Sequence, residues 1–287
     1  MNSVAVLFYE SVFSRLLDKN VLSPCRDLSG LFGGVASEFY KSWLQLRVCV
    51  ENGRVQEETY LNIEDQQMDA EMISRKRPNF ITLDITGNQL EYSTERAALQ
   101  KVLSATCGSQ VILNLKTPNI DEEIKKCVES IRVRELAVLA ALRGDVLKMT
   151  RSLVQKRTLN CISFEVQLED DATHLLIDLL NQRQFDSVCL PSKCFKTIEA
   201  IIVSWRENAE EMIGKDVCCV ESPEDLQPIT AFGFERCTAE EENYVKRFYP
   251  SAADRRKTQY VLKSGEGRAV YCLFGEQFHY ETMFLFA

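Results

Sequence analysis

The sequence predicts a mixed α/β protein with a short helical head, an array of strand–helix repeats and an antiparallel C-terminal end. Two observations predict this fold class. From residue 80 onward, short alternating apolar segments recur every 24 to 31 residues, and each gap between them holds one helical pattern. Before residue 46 and after residue 225 this spacing is absent. The segments begin near Phe80, Val111, Glu135, Cys161, Asp186 and Val217.

The composition allows a core of ordinary size and argues against two classes of partner. Of the 287 residues, 45% are hydrophobic and 26% are charged, which is typical of a globular chain. The formal net charge of −8 works against binding to a nucleic acid backbone. No apolar run approaches about 18 residues, so we expect no membrane span.

The number and spacing of the cysteines favour a reducing cellular compartment. Eleven are present, an odd number, with neither a disulfide framework nor the spacing of a zinc site. Residues 1–20 show no secretory leader. We therefore expect a monomer with reduced thiols in the cytoplasm or the nucleus.

The head is expected to be helical over residues 1–45. An amphipathic stripe marks its first helix: Val4, Leu7, Phe8, Val12, Leu16 and Leu17. A second apolar group follows between residues 28 and 44. It contains Gly30, Gly33 and Gly34, which predict two short helices in place of one.

A β-hairpin and a connector are expected next. Apolar residues alternate over 46–50, which predicts the first strand, and Asn52-Gly53 supplies residues that tolerate positive φ in the turn. Residues 55–61 are expected to form the second strand. The polar stretch 62–78 predicts a helix-plus-loop connector.

The array itself implies a parallel sheet, because strand–helix units this short are connected by crossovers. Such a sheet is either a solenoid of repeats or a doubly wound sheet. The stretch Leu83-Asp84-Ile85-Thr86-Gly87-Asn88-Gln89-Leu90 fits the LxLxxNxL spacing of a leucine-rich repeat. This spacing favours the solenoid, with strands paired in parallel and in sequence order.

The chain after residue 225 predicts an antiparallel meander that covers the end of the array. Phe232–Cys237 is expected to be a strand and Ala239–Phe248 a helix. Further strands are expected at Tyr260–Leu262, Ala269–Phe274 and Phe278–Phe286.

The sequence offers no catalytic, cofactor-binding or metal-binding constellation. Only two histidines are present, and both His174 and His279 fall on the polar side of their element. Gly-rich phosphate-binding motifs and the GxSxG nucleophile motif are absent. We therefore predict a protein that is not an enzyme and needs no cofactor.

The head resembles an F-box, a compact set of three helices. Residues 4–17 are similar to its first helix, Leu22 to Leu31 to its middle, and Phe39, Trp43 and Leu44 to its close. With the array behind it, the layout resembles nematode families of F-box-like proteins. The resemblance implies a substrate receptor that binds the Skp-type adaptor of a cullin ubiquitin ligase and holds an unknown target protein. The residues expected to bind the adaptor are Leu7, Phe8, Val12, Phe13 and Leu16.

Four segments summarise the expected organisation. They are an F-box-like head at 1–48, a hairpin and connector at 49–78, a strand–helix array at 79–225 and an antiparallel cap at 226–287. Two alternatives stay open. One is a small-molecule enzyme on a doubly wound sheet, and the other is an interaction protein without ligase association.

Overall fold

A computed structural model describes most of the chain. The described residues are 24–69, 78–87, 96–105, 108–168, 170–192, 194–219, 233–249, 253, 256–264, 267–275 and 282–287. They form a mixed α/β fold with twelve strands and seven helices. The mixed α/β class expected from the sequence is confirmed.

The elements are numbered in chain order. The helices are α1 (Gly30–Ser42), α2 (Arg96–Ala105), α3 (Glu122–Ser130), α4 (Gly144–Gln155), α5 (Asp170–Leu180), α6 (Phe195–Met212) and α7 (Ala239–Phe248). The first six strands are β1 (Gln45–Glu51), β2 (Arg54–Leu61), β3 (Phe80–Thr86), β4 (Gln110–Leu115), β5 (Val133–Val138) and β6 (Cys161–Phe164). The others are β7 (Ser187–Leu190), β8 (Asp216–Cys219), β9 (Glu235–Arg236), β10 (Arg256–Lys263), β11 (Ala269–Gly275) and β12 (Thr282–Phe286).

The strands form one sheet in the order β2-β1-β3-β4-β5-β6-β7-β8-β12-β11-β10-β9. β1 pairs in parallel with β3, and β5 to β8 pair in parallel, each with the next in sequence. Strands β3 to β8 therefore follow one another in sequence order, as the spacing predicted. The chain divides into two compact units, Met1–Leu113 with Asp121–Arg132, and Asn114–Ile120 with Val133–Ala287.

The first unit contains the predicted hairpin. β1 and β2 are antiparallel, and Asn52 and Gly53 join them with φ values of 48° and 75°. Two positive φ values are what a two-residue type I′ turn needs, so the Asn-Gly signal is confirmed. Val48, the last residue of the predicted head, lies inside β1, and β1 continues the sheet through its pairing with β3.

Helix α1 corrects one expectation, because a single helix of 13 residues runs through Gly33 and Gly34. A Cβ atom at Gly33 would overlap the carbonyl oxygen of Leu28. Glycine at this position therefore allows the preceding loop to lie close to the helix. Ala36 of α1 is buried in a cluster with Trp43 and Phe80, whose ring centroids are 5.3 Å apart.

The segment after the hairpin is a turn where the structure describes it. The side-chain oxygen of Asn62 accepts hydrogen bonds from the backbone N–H groups of Glu64 and Gln66, both at 2.9 Å. Leu61 then bridges Gln67 in antiparallel fashion. The expected helix is thus absent from residues 62–69, and residues 70–77 lie outside the described part.

The second unit is built from β5 to β8 with helices packed on one face. α4 packs beside α5, and α5 beside α6, in the same order as the strands they connect. Helix α5 buries an apolar stripe: Ala172, Leu175, Leu176, Leu179 and Leu180. On α6, Trp205 is 1% exposed and packs against Phe286 of β12 with ring centroids 6.4 Å apart.

The C-terminal strands are antiparallel, as expected. β12 pairs with β8, β11 with β12, β10 with β11 and β9 with β10. Helix α7 spans Ala239–Phe248 as predicted, and begins with a capping box between Thr238 and Glu241. The strand expected at Phe232–Cys237 is confined to Glu235–Arg236 within the described residues.

Candidate functional site

The residues expected to bind an adaptor lie outside the described part of the chain. Leu7, Phe8, Val12, Phe13 and Leu16 all precede residue 24, so their role stays a prediction. The end of the stretch with LxLxxNxL spacing, residues 88–90, also lies outside the described part, so its assignment as a repeat stays a prediction.

The described part of the head carries two exposed leucines. Leu28 is 54% exposed and Leu31 is 45% exposed. Arg26 lies beside them in sequence and stacks over the ring of Tyr40, with its guanidinium carbon 4.0 Å from the ring centroid. These side chains lie within residues 1–48, the segment that the sequence predicted to be the helical head.

The second unit has an open face on the side of the sheet opposite helices α4 to α6. The strand register aligns two rows of side chains on this face. The open face is formed by Glu135, Cys161, Ser187 and Asp216 in one row and Ala137, Ser163, Cys189 and Cys218 in the next. Seven of these eight residues are half-buried, and Cys218 is buried.

The opposite face of the same strands is fully covered. Ile162 and Phe164 of β6 and Val188 and Leu190 of β7 are at most 1% exposed. The alternation follows from the strand itself, because successive side chains point to opposite faces. Helices α4 to α6 cover the apolar face, so the other face is left to small side chains, thiols and carboxyls.

Asp216 is a carboxyl of the open face whose pKa is raised. Its Oδ1 atom accepts a hydrogen bond from the Ser187 hydroxyl at 2.6 Å and a weaker one from the Cys218 thiol at 3.5 Å. Burial raises its pKa to about 6, against the opposing effect of these hydrogen bonds. Burial also raises the pKa of Glu135 at the other end of the same row.

Three thiols of the open face are in mutual contact through Cys189. Cys161 and Cys218 each form a hydrogen bond with the Cys189 thiol, and this contact, followed by burial, raises the pKa of both thiols. The nearby carboxylates act in the same direction. Protonated thiols are poorer nucleophiles than thiolates, so Cys161 and Cys218 react slowly at neutral pH.

Helix α7 covers the continuation of the open face over the C-terminal strands. Val245 of α7 is fully buried against a cluster that includes Tyr271, Leu273 and Leu285. Beside it, Tyr244 is 40% exposed and stacks on Tyr271 with ring centroids 6.0 Å apart. Burial raises the pKa of the Tyr271 phenol to about 12. The helix thus forms one wall of the open face.

A polar residue precedes each of β6, β7 and β8, namely Asn160, Asp186 and Lys215. Asn160 donates through its side-chain amide to Asp186 at 2.9 Å, and its backbone carbonyl oxygen accepts from the N–H groups of Asp186 and Ser187. Lys215 is 4% exposed, and its ammonium donates to the carbonyl oxygens of Leu180 and Gln182 at the end of α5. A cation is favourable there because the carbonyl oxygens at the C-terminal end of a helix carry partial negative charge.

A small pocket lies at the carboxyl ends of β6 and β7, beside the start of α6. Its volume is about 220 Å³, and its lining includes Gln167, Pro191 and Phe195. The hydroxyls of Thr173 and Thr197 share a hydrogen bond of 3.3 Å at its edge. The volume is below the 300–1,000 Å³ that is common for small-molecule sites.

Other chemistry is sparse in the described residues. His174 is exposed on α5, as predicted, and His279 lies outside the described part. No group of three or more His, Cys, Asp or Glu side chains in the described part is placed to hold a metal ion. Among the described helices, none is both long enough and apolar enough to cross a membrane.

Comparisons with known proteins found no match to any protein family, to any curated protein or to any solved structure.

Proposed function

We propose that this chain is a protein-interaction module that acts as a substrate receptor of a cullin-type ubiquitin ligase. In this proposal the F-box-like head recruits a Skp-type adaptor, and the strand–helix array is a leucine-rich-repeat-like solenoid that holds a target protein on its open face. The proposed contacts with the adaptor are Leu7, Phe8, Val12, Phe13 and Leu16.

The one-sided covering of the parallel strands is the observation that supports target binding. Strands that pair in sequence order with all connecting helices on one face leave the other face available to a partner, which is how solenoids bind proteins. In β6 and β7 the residues of that face are half-buried, whereas those beneath the helices are at most 1% exposed.

The chemistry of the open face supports binding more than catalysis. The pKa of the Cys161 thiol and that of the Cys218 thiol are raised, which keeps both protonated at neutral pH, and His174 is exposed on a helix of the other side. The alternative of a small-molecule enzyme on a doubly wound sheet would need a reversal of strand order to create its ligand crevice. The parallel strands run without such a reversal.

The target-binding part is tested by affinity purification of the full chain followed by mass spectrometry. Ser163→Arg places a long cation in the middle of the open face and should remove specifically bound proteins. Gln155→Arg adds the same side chain at an exposed position on α4 and serves as the matched control. Equal recovery of all bound proteins from both variants would exclude the open face as the binding surface.

The adaptor-binding part is tested separately on the full chain. Wild-type protein should co-purify with a Skp-type adaptor, and Phe13→Asp should abolish this while the chain stays folded. Target recovery should be unchanged in Phe13→Asp. If wild-type protein recovers targets but no adaptor, the ligase association fails and the alternative of an interaction protein without a ligase remains.

A further inference from the structure

Three thiols meet on the open face of the second unit. Cys189 and Cys218 are direct partners in the register of β7 and β8. Cys161 and Cys218 each share a hydrogen bond with the Cys189 thiol. Cys161 and Cys189 are half-buried, so a small solute can reach them, whereas Cys218 is 5% exposed.

Only one of the two thiol contacts has the backbone spacing of a disulfide. Directly paired residues on adjacent strands lie about 4.8 Å apart, and disulfides join Cα atoms about 4.4–6.8 Å apart. Cys161 is paired with Ser187, so Cys189 is its diagonal neighbour. Diagonal neighbours are roughly 7–8 Å apart, beyond the range of an unstrained bridge.

We propose that Cys189 and Cys218 are a site of reversible oxidation, at which a hydroperoxide converts the pair into a disulfide that joins β7 to β8. Cys161 touches the pair but is not a member of the bridge. This site is independent of the proposed target binding, because the disulfide forms with no partner present.

The reaction is balanced by one hydroperoxide per pair of thiols. The sulfur of Cys189 attacks the hydroperoxide, the O–O bond breaks, and the thiol proton leaves with the released water or alcohol. The sulfenic acid formed on Cys189 is then attacked by the sulfur of Cys218. The S–S bond forms, the S–O bond breaks, and the hydroxyl leaves as water with the proton of the Cys218 thiol.

Asp216 is placed to assist the second step. Its carboxylate accepts the hydrogen bond of the Cys218 thiol at 3.5 Å, and so lies where that proton must depart. Its pKa of about 6 leaves the carboxyl ionised at neutral pH. The Ser187 hydroxyl and Arg256 also interact with this carboxyl and favour its charged form.

The groups around the thiols also slow oxidation at neutral pH, because they raise the pKa of Cys161 and of Cys218. The Cys189 contact, burial and the carboxylate of Asp216 raise the pKa of the Cys218 thiol, and Arg256 opposes them. For Cys161 the Cys189 contact and burial act in the same direction, together with Glu135 and Asp216. Since the thiolate is the species that peroxide oxidises, the rate should rise as the pH is raised above neutral.

The experiment is peptide mapping of the full native chain after treatment with hydrogen peroxide and blocking of remaining thiols with N-ethylmaleimide. Trypsin places the three cysteines on separate peptides, residues 158–183, 184–193 and 216–236. The expected product links residues 184–193 to 216–236 and is cleaved by dithiothreitol. Treatment at pH 6.5, 7.5 and 8.5 should give increasing initial rates.

Variants identify the sulfur atoms. The linked peptide should be lost in Cys189→Ser and Cys218→Ala and kept in Cys161→Ser. Cys219→Ala is the matched control, because Cys219 is the neighbouring thiol on the same peptide, is fully buried and faces the helices.

Three outcomes would overturn the proposal. They are a link that contains Cys161, an unchanged link in Cys218→Ala, and the absence of any link in folded wild-type protein. If Cys218→Ala fails to fold, fragment ions of the wild-type product that separate Cys218 from Cys219 decide the assignment. Loss of target capture by Ser163→Arg plays no part in this test, so the two proposals can fail separately.

Discussion

The second unit contains two regions of one sheet that differ in how many faces are covered. β6 and β7 are covered by helices on one face only, and their side chains alternate between buried and half-buried. β12 is buried at all five positions, because α6 packs on one face and α7 on the other. The residue types follow the covering, with small polar side chains and thiols in the first region and large apolar ones in the second.

The comparison shows that α7 is the element that ends the open face. Ser163, Cys189, Cys218 and Met283 form one continuous row across β6, β7, β8 and β12. Ser163 and Cys189 in this row are half-buried, whereas Cys218 is 5% exposed and Met283 is 8% exposed. A protein partner can therefore lie on the first part of the row, and α7 occupies the last part.

The largest effect is expected where the row is covered. Met283→Arg would place a charge beneath α7, in the cluster that contains Val245 and Leu273. A buried charge without a partner costs several kcal/mol, so we expect a loss of about 4 kcal/mol or more in the free energy of unfolding. Urea denaturation followed by circular dichroism measures it. A loss below about 1 kcal/mol would show that α7 does not cover this strand.

The second effect lies at the border between the regions, where Asp216 is held at a pKa of about 6 against an ordinary value of 3.8. The folded state holds this proton more tightly than the unfolded state does, so ionisation of Asp216 lowers the free energy of unfolding. This destabilisation is absent below pH 3.8, grows between pH 3.8 and about 6, and is fully present above pH 6. At 1.36 kcal/mol per pH unit, the cost at pH 7.5 is about 3 kcal/mol.

Asp216→Asn should therefore remove a pH-dependent cost. The amide oxygen can still accept the hydrogen bond from Ser187, which limits other losses. Relative to wild type, the variant should be more stable at pH 7.5 than at pH 4, by up to about 3 kcal/mol. Urea denaturation of both proteins at the two pH values checks this. A difference that does not depend on pH would mean that the carboxyl is not ionised at a cost in the folded protein.

The sequence predicted the elements that depend on short-range signals. The Asn52-Gly53 turn and the start of α7 at Ala239 follow from local chemistry, and the strand spacing gave the order of β5 to β8. The single helix α1 was missed because Gly33 is explained by a contact with the Leu28 carbonyl and not by helix propensity.

The open face was harder to predict, because its rows are set by register. Cys161, Cys189 and Cys218 are 28 and 29 residues apart in sequence, so nothing local brings them together. The packing of α7 on β11 and β12 is also a tertiary contact, so local sequence signals do not reveal it. One usable signal was present, since the polar residues Asn160, Asp186 and Lys215 each stand directly before a strand and mark its first residue.

The third effect on stability is expected at the face of the sheet that α5 and α6 cover. Lys215→Met removes the ammonium that donates to the carbonyl oxygens of Leu180 and Gln182. Hydrogen bonds to charged groups contribute about 1.5–3 kcal/mol each, offset here by the burial that lowers the pKa of Lys215. We expect a net loss of about 2 kcal/mol in urea denaturation. Lys148→Met is the control, because Lys148 is exposed and should change stability by less than about 0.5 kcal/mol.

The smallest effect is expected on the open part of the row. Ser163→Arg introduces the same side chain as Met283→Arg, but none of the described helices covers this position, so the aliphatic stem can lie along the face and the guanidinium can stay in water. The free energy of unfolding should change by no more than about 0.5 kcal/mol. If the loss instead approaches that of Met283→Arg, the face at β6 is covered in solution. Any loss of target capture by Ser163→Arg would then reflect unfolding and not a blocked surface.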